Sequence, residues 1–465
     1  MPLAEIEQLG ERLAEYWSRF DGYTATQTRD TSAYGYHYLS GVLRLEMDRT
    51  IANISRTAGI SEQNMHHYIS ESPWSAQYVN KMVRQDIANH PHFEKGSILI
   101  LDESADDKAG KQSAGAGRQY NGRRGKVDQC QVGVFLALAK DGMSCWIDGE
   151  LFLPEEWFTD EYADVRRRVG VPKERHFLTK PEIGEQLILR AKQEGIPFDA
   201  VTCDELYGRS FAFRKHLNES GIEYYADIPA NTRVYLSQPQ IGIPQNNRGP
   251  KATKPQVLSP RSYRVDELCH HPGVLWQTLT IRPSERGMLI ADFARVRVWL
   301  VQDDLTITEE WLLIRRDGKK HTYSLSNAPT FTSLQTMALR KSQRYFIERS
   351  NQDAKSDFGW DEFQATKLRA WEHQLTFTIL AQWFIIETRL DWEAQYARDP
   401  ELLRHYEVTL LPAISVANVR ALLRAALPLP QLSPAEAAAL VVKHLDNRTR
   451  SRKSRMMQLS GPEAH

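Results

Sequence analysis

Asp102 follows the apolar run Ile98-Leu99-Ile100-Leu101, and Asp204 follows a second one that ends at Cys203. An acid at the carboxyl end of a buried strand sits where open α/β sheets place their chemistry. By position alone Asp102 also fits a capping or turn aspartate. Carboxylates that converge in space can hold divalent cations, and cutting or joining a phosphodiester depends on such cations more than on a protein nucleophile. Two of them, roughly 3.5–4 Å apart, activate the attacking oxygen and stabilise the leaving one. Magnesium takes oxygen ligands and keeps several waters, so two or three carboxylates suffice. A third acid, Glu348, follows Arg344 by four positions and precedes Lys355 by seven, close to one face of a helix. Spacing does not select three acids from 59.

The elements that must position these acids follow from hydrophobic periodicity. Residues 1–95 are read as helical. Within them Arg49 to Ala58, Gly59, and Ser61 to Ile69 have the outline of a helix-turn-helix, with Ser61 as N-cap and Ile60 and Met65 as a hydrophobic staple. Met65, Tyr68 and Ile69 then face inward. Gln63, Asn64, His66 and His67 are left outward, suited to base edges or phosphates; an ordinary helical hairpin fits the same pattern.

Residues 96–225 alternate strand and helix. Gln131 to Ala139 and Met143 to Phe152 are strands joined by Asp141-Gly142, a strong hairpin signal. Ile183 to Gln193 and Ser210 to Glu219 are helices, and Phe198 to Cys203 is a buried strand. Such an order is compatible with an RNase H-like core. Five prolines between Gln238 and Pro260 mark a loop, because missing amide donors cannot sit in a ladder. Val274 to Ile281, Gly287 to Val301 and Glu310 to Arg316 read as strands of a β-rich region, 226–330. There Ala294, Val296, Val298 and Leu300 share one face, while Arg295, Arg297 and Trp299 share the other. Trp299 is the first candidate to stack on an unpaired base, with Trp276 and Trp311 behind it; a place in the core is the commoner one for any single tryptophan. Helices return over 331–395, including Trp371 to Leu390. The segment 396–465 closes with the basic run Arg448 to Arg455, which attracts phosphates whether solvated or not.

Fifty-nine basic residues cancel 59 acidic ones, so any nucleic-acid contact must come from local patches. Cys130, Cys145, Cys203 and Cys269 have no zinc spacing and are expected to be reduced and mostly buried. Met1 to Glu5 lack the blocks of a signal peptide. The most apolar helix falls short of the ~20 residues a membrane span needs. Together these lead to the expectation of a soluble, cytoplasmic protein. Ala109-Gly110-Lys111-Gln112-Ser113 is not a phosphate-binding loop, lacking its first glycine. Gly115-Ala116-Gly117 lacks the third glycine of a dinucleotide fold. His66-His67 and His270-His271 lack the spacing of helical zinc ligands and read as surface histidines.

Ser113-Ala114-Gly115-Ala116-Gly117-Arg118-Gln119-Tyr120, Cys130-Gln131-Val132-Gly133-Val134-Phe135-Leu136, Leu151-Phe152-Leu153-Pro154 and Val201-Thr202-Cys203-Asp204-Glu205-Leu206-Tyr207-Gly208 form a series of blocks. Trp311 to Arg316, Arg344 to Lys355 and Trp371 to Thr376 extend it. From the region of Tyr38 to Leu390 the chain resembles the transposases of the insertion-sequence 701 family, DDE superfamily endonucleases. The resemblance implies an RNase H-like catalytic core with an N-terminal helical DNA-binding domain. It also implies a β-rich insertion between the second and third acids, like that of hairpin-forming relatives. Asp102, Asp204 and Glu348 would hold two Mg²⁺ ions, with Mn²⁺ able to substitute, and Arg344 and Lys355 would hold phosphates near the glutamate. The partners implied are transposon terminal inverted repeats and target DNA, bound by a homodimer without any membrane. DNA contacts would come from Gln63, Asn64, His67, Lys108, Lys111, Arg118, Arg295, Arg297 and Trp299. Two departures stand out: Lys341 occupies the place of a family tyrosine, and Ala105-Asp106-Asp107-Lys108 replaces the usual phenylalanine and extra lysine.

Overall fold

The computed structural model describes residues 3–26, 30–244, 253–284, 287–409, 411, 413–430 and 433–459. Asn246-Asn247-Arg248-Gly249 and Pro250 of the proline-rich stretch lie outside them. Among the described residues no helix is long and apolar enough to cross a membrane.

One ten-stranded mixed sheet organises the α/β fold. Its strands are β1 (Ile98–Asp107), β2 (Gly117–Asn121), β3 (Lys126–Lys140), β4 (Met143–Phe152), β5 (Ala200–Cys203), β6 (Tyr224–Ile228), β7 (Gln277–Ser284), β8 (Gly287–Val301), β9 (Ile307–Asp317) and β10 (Lys320–Ser326). β3 lies antiparallel to β1 on one edge and to β2 and β4 on the other. The hairpin between β3 and β4 turns at Asp141-Gly142 with φ of 48° and 85°, the left-handed backbone that this dipeptide tolerates. β5 runs parallel to β1, and β6 parallel to β5. Ile98 to Leu101, Ala200 to Cys203 and Tyr224 to Ala226 are buried, as strands covered on both faces must be.

The 226–330 region contributes strands to the core sheet and also holds two small two-stranded sheets of its own, Arg233–Val234 with Tyr263–Arg264 and Gln240–Gly242 with Gln256–Ser259. β10 pairs antiparallel with β6, so β7 to β10 lengthen the core sheet at its far edge. Strand β10 was not foreseen from the sequence. On β8 Ala294, Val298 and Leu300 are buried as expected and Arg295, Arg297 and Trp299 are partly exposed, but Val296, expected on the buried face, is only partly buried against that core.

The helix Leu368–Tyr396 is apolar nearly all round, the mark of a helix with neighbours on every side. It lies against β4 and the N-terminal helices. Tyr38 donates a hydrogen bond to Gln374 at 2.5 Å, and Tyr16 to the Leu380 carbonyl at 2.8 Å. The helices before residue 95 therefore share one core with this helix and the sheet. All four cysteines are free and buried.

Candidate active site

β1 does not end at Asp102. It runs on to Asp107, and what ends beside Asp102 is its parallel pairing with β5, at Leu101 opposite Cys203. Past that point the β5-side edge of β1 is open. Asp204, the next residue of the neighbouring strand, caps the short helix Glu205–Gly208 by accepting a hydrogen bond from the Leu206 N–H at 2.9 Å. The helix turn is pressed against β6: a Cβ at Gly208 would come within 1.8 Å of the Asp227 carbonyl oxygen. Only glycine lets the chain after Asp204 pass so close.

At this open edge Asp102, Glu103 and Asp204 each offer a carboxylate oxygen, all within 4.8 Å of one another. Burial pushes the Asp102 carboxyl up to about 7, with Asp204 and Glu103 adding to the rise and Arg344 opposing it. Asp204 is raised to about 6, again by burial first, then by Glu103. Crowded, half-buried acids whose ionisation is costly are what a hard divalent cation would relieve. Three oxygens at this spacing fit its ligand preference.

Glu348 lies on the helix Tyr345–Ser356 and is more exposed, with its side chain at 60 %. It is outside the three-carboxylate cluster and is linked to it through Arg344, whose guanidinium is 3.7 Å from Glu348. Burial disfavours the charge on Arg344, yet Asp102, Asp227, Asp204 and Glu348 outweigh it and raise its pKa. Arg344 thus stands among four carboxylates.

Lys355 faces elsewhere. Its Nζ donates to the Ala105 carbonyl at 2.8 Å and lies 3.5 Å from Asp106, fastening the helix to the far end of β1. Lys108 likewise donates to the Phe363 carbonyl at 3.2 Å, and burial lowers its pKa. Both lysines have protein partners where phosphate contacts were expected. Arg295 is bound to the Thr332 carbonyl and lies 4.6 Å from the Trp311 ring centre; Arg297 pairs with Glu309 at 3.1 Å and lies 4.7 Å from the same ring. Trp299 is half-buried, and its backbone pairs with Tyr235. Trp311 donates its indole N–H to the Ala328 carbonyl, and Trp276 stacks with Arg316. Lys111 and Arg118 are exposed. In the helix Glu62–Ser70, capped by Ser61, Met65, Tyr68 and Ile69 are buried, while Gln63, Asn64, His66 and His67 are exposed. Asn64 donates to the Tyr34 hydroxyl at 3.2 Å.

The sequence family described as DDE superfamily endonuclease matches residues 20–287, more than half of the chain. The chain belongs to that family. The match covers Asp102 and Asp204 and stops before the helix of Glu348. Among relatives of these DDE endonucleases, the "Probable transposase for insertion sequence element IS701" of Microchaete diplosiphon is 29% identical over 210 residues, 45% of this chain and 51% of the relative. The chain thus spans about half the length of that relative.

Three features of this cluster and its surroundings have no signature in the sequence. Glu103 brings a carboxylate oxygen to the same cluster as Asp102, although strand alternation sends neighbouring side chains to opposite faces. Tyr207 is fully buried beneath the acids. Lys341, at the family's tyrosine place, pairs with Asp227 at 3.2 Å, with side chains 8% and 14% exposed. Asp227 also accepts a 2.6 Å hydrogen bond from Ser324. Removing one member strands a buried charge, so Lys341→Ala or Asp227→Ala should cost about 3 kcal/mol. Urea unfolding checks this, and Lys341→Met combined with Asp227→Asn should recover most of the loss.

Proposed function

We propose that this chain is a transposase that excises an insertion sequence and joins it to new DNA by phosphodiester hydrolysis and strand transfer. The observation that carries the reading is the set of carboxylates gathered where β5 stops beside β1, in a member of a DDE endonuclease family. The order β4-β3-β1-β5-β6, three antiparallel strands followed by two parallel ones, supports an RNase H-like core. The name of the Microchaete relative supports the transposition step.

Asp102 and Asp204 would hold divalent cations, Mg²⁺ or Mn²⁺, and Glu348 would join them from its helix. Bound cations would supply the positive charge that stabilises the attacking and departing oxygens of the phosphodiester. Arg344 holds the acids' excess charge in check and presents a guanidinium to an incoming phosphate. DNA bearing the element's terminal inverted repeats, incubated with the protein, Mg²⁺ and a circular target, should yield ends joined to the circle. Cutting without joining would make the protein a stand-alone nuclease. End binding without cutting would make it a silent DNA-binding descendant. DNA-bound protein is expected to be a homodimer.

The exposed face of Glu62–Ser70 would read part of the end sequence. Changing Gln63, Asn64 or His67 to Ala should weaken binding to the proper end by about 1–3 kcal/mol, the usual worth of a good base-edge contact. Binding to random DNA should change little. Gel-shift titration on both DNAs checks this, and equal losses would give the helix a positioning role only.

Half-exposed Trp299 would stack on a base displaced as the second strand is cut, a contact worth roughly 1–3 kcal/mol. Trp299→Ala should nick normally and accumulate singly cut DNA. Normal second-strand cutting would remove this role. Arg297 and the exposed Lys111 and Arg118 remain candidate phosphate contacts.

A further inference from the structure

Glu103 has no part in the three-acid scheme of Asp102, Asp204 and Glu348, yet it is the residue that lies with Asp102 and Asp204 in the metal-sized cluster. One of its oxygens, Oε1, is 3.4 Å from Lys180 Nζ. The other, Oε2, is buried and has no hydrogen-bond partner among the described residues. Below it lies a second orphan. The Tyr207 hydroxyl is fully buried, has no hydrogen-bond partner among the described residues, and interacts electrostatically with Glu103, Asp102 and Asp204. Buried polar groups are almost always paired, and an unpaired one calls for an explanation, of which a missing ion is one. A carboxylate oxygen and a phenol left unpaired at one spot, beside two further carboxylates, describe a binding site for a small hard cation.

Resting on the reading of this site as the catalytic centre, we propose that Glu103 is a cation ligand. With Asp102 and Asp204 it forms a three-carboxylate site that takes up a divalent ion without Glu348. Tyr207 is the positioning residue beneath it, its hydroxyl available to donate to the carboxylate oxygens as they turn toward the ion. Lys180 holds Glu103 from the outer side and keeps its carboxylate at the strand edge. Glu348, exposed and tied to Arg344, would then be needed for catalysis with DNA bound and not for loading the first ion.

Titration of the full-length chain with Mn²⁺ in the absence of DNA, followed by the loss of the free-ion electron paramagnetic resonance signal, tests this directly. Glu103→Gln should weaken Mn²⁺ binding tenfold or more, and Glu103→Asp, which keeps a carboxylate, should recover part of it. Tyr207→Phe should weaken binding severalfold. Glu348→Gln should change it less than threefold. Wild-type binding by Glu103→Gln, or a loss in Glu348→Gln as large as in Glu103→Gln, would overturn the inference. Asp102→Asn separates the two levels. If it loses Mn²⁺ while Glu103→Gln does not, the extra ligand is wrong and the centre stands; if neither loses it, the centre itself is misplaced.

Discussion

Asp102→Asn and Asp204→Asn should each lower DNA end cleavage by at least about a thousandfold while leaving end binding within a few-fold of normal. The size follows from what is removed. A carboxylate that holds a catalytic cation contributes several kcal/mol of transition-state stabilisation, and each 1.4 kcal/mol is a factor of ten in rate. Asparagine keeps the shape and the capping oxygen, so the turn after Asp204 still accepts the Leu206 N–H. The fold should survive because the change also removes one of several crowded, half-buried negative charges. Gel-based cleavage and gel shift, run side by side on the same preparations, separate the two effects. A variant that loses binding as much as cleavage would make these acids structural.

Cleavage should also fall steeply as pH drops below about 7. Asp102 is raised to about 7 and Asp204 to about 6, chiefly by burial. Both must be ionised to hold a cation, so each proton retained competes with the metal. Below pH 6 two protons compete, and the rate at limiting metal should fall by up to about a hundredfold per pH unit. Metal-free stability moves the other way. The folded protein keeps protons that the unfolded chain releases near pH 4, so its stability declines as pH rises from about 4 to 7. The gain in melting temperature on adding Mg²⁺ should therefore grow between pH 5.5 and 8. A flat profile across that range would mean that these carboxylates do not titrate as a metal-coupled pair.

The parts of the fold legible in the sequence are those set by local pattern. Asp141-Gly142 announced its hairpin, Ser61 with Ile60 and Met65 announced a capped helix, and the Ala294 to Leu300 alternation placed each face of β8. Pairing partners leave no such trace, so nothing in the sequence of β7 to β10 says which strand they meet. Only hydrogen bonding of β10 to β6 makes them part of the core sheet. The helical segment before residue 95 gave no sign that it would clasp Leu368–Tyr396, because an amphipathic face does not name what covers it.

The candidate site divides in the same way. Asp102 and Asp204 stood out as acids after buried strands, and the resemblance added Glu348. Glu103 has no sequence signal beyond its place after Asp102, since alternation sends neighbouring strand side chains to opposite faces. That Lys108 and Lys355 donate to carbonyls was not legible either, because a lysine so bound has the same sequence signature as a solvated one. Position 341 is the instructive departure. A lysine there implies a buried acid to meet it, and Asp227, at the end of the next strand over, is that acid.

The central claim is that segments more than a hundred residues apart hold one cation between them. Fe²⁺ in place of Mg²⁺, with ascorbate and peroxide, generates hydroxyl radicals at the bound metal that cut the nearest backbone. Mass mapping of the fragments should show cuts at 102–104 and at 204–206, both suppressed by excess Mg²⁺ and both lost in Asp102→Asn. Cuts in only one of these segments, or cuts that Mg²⁺ does not suppress, would contradict the account.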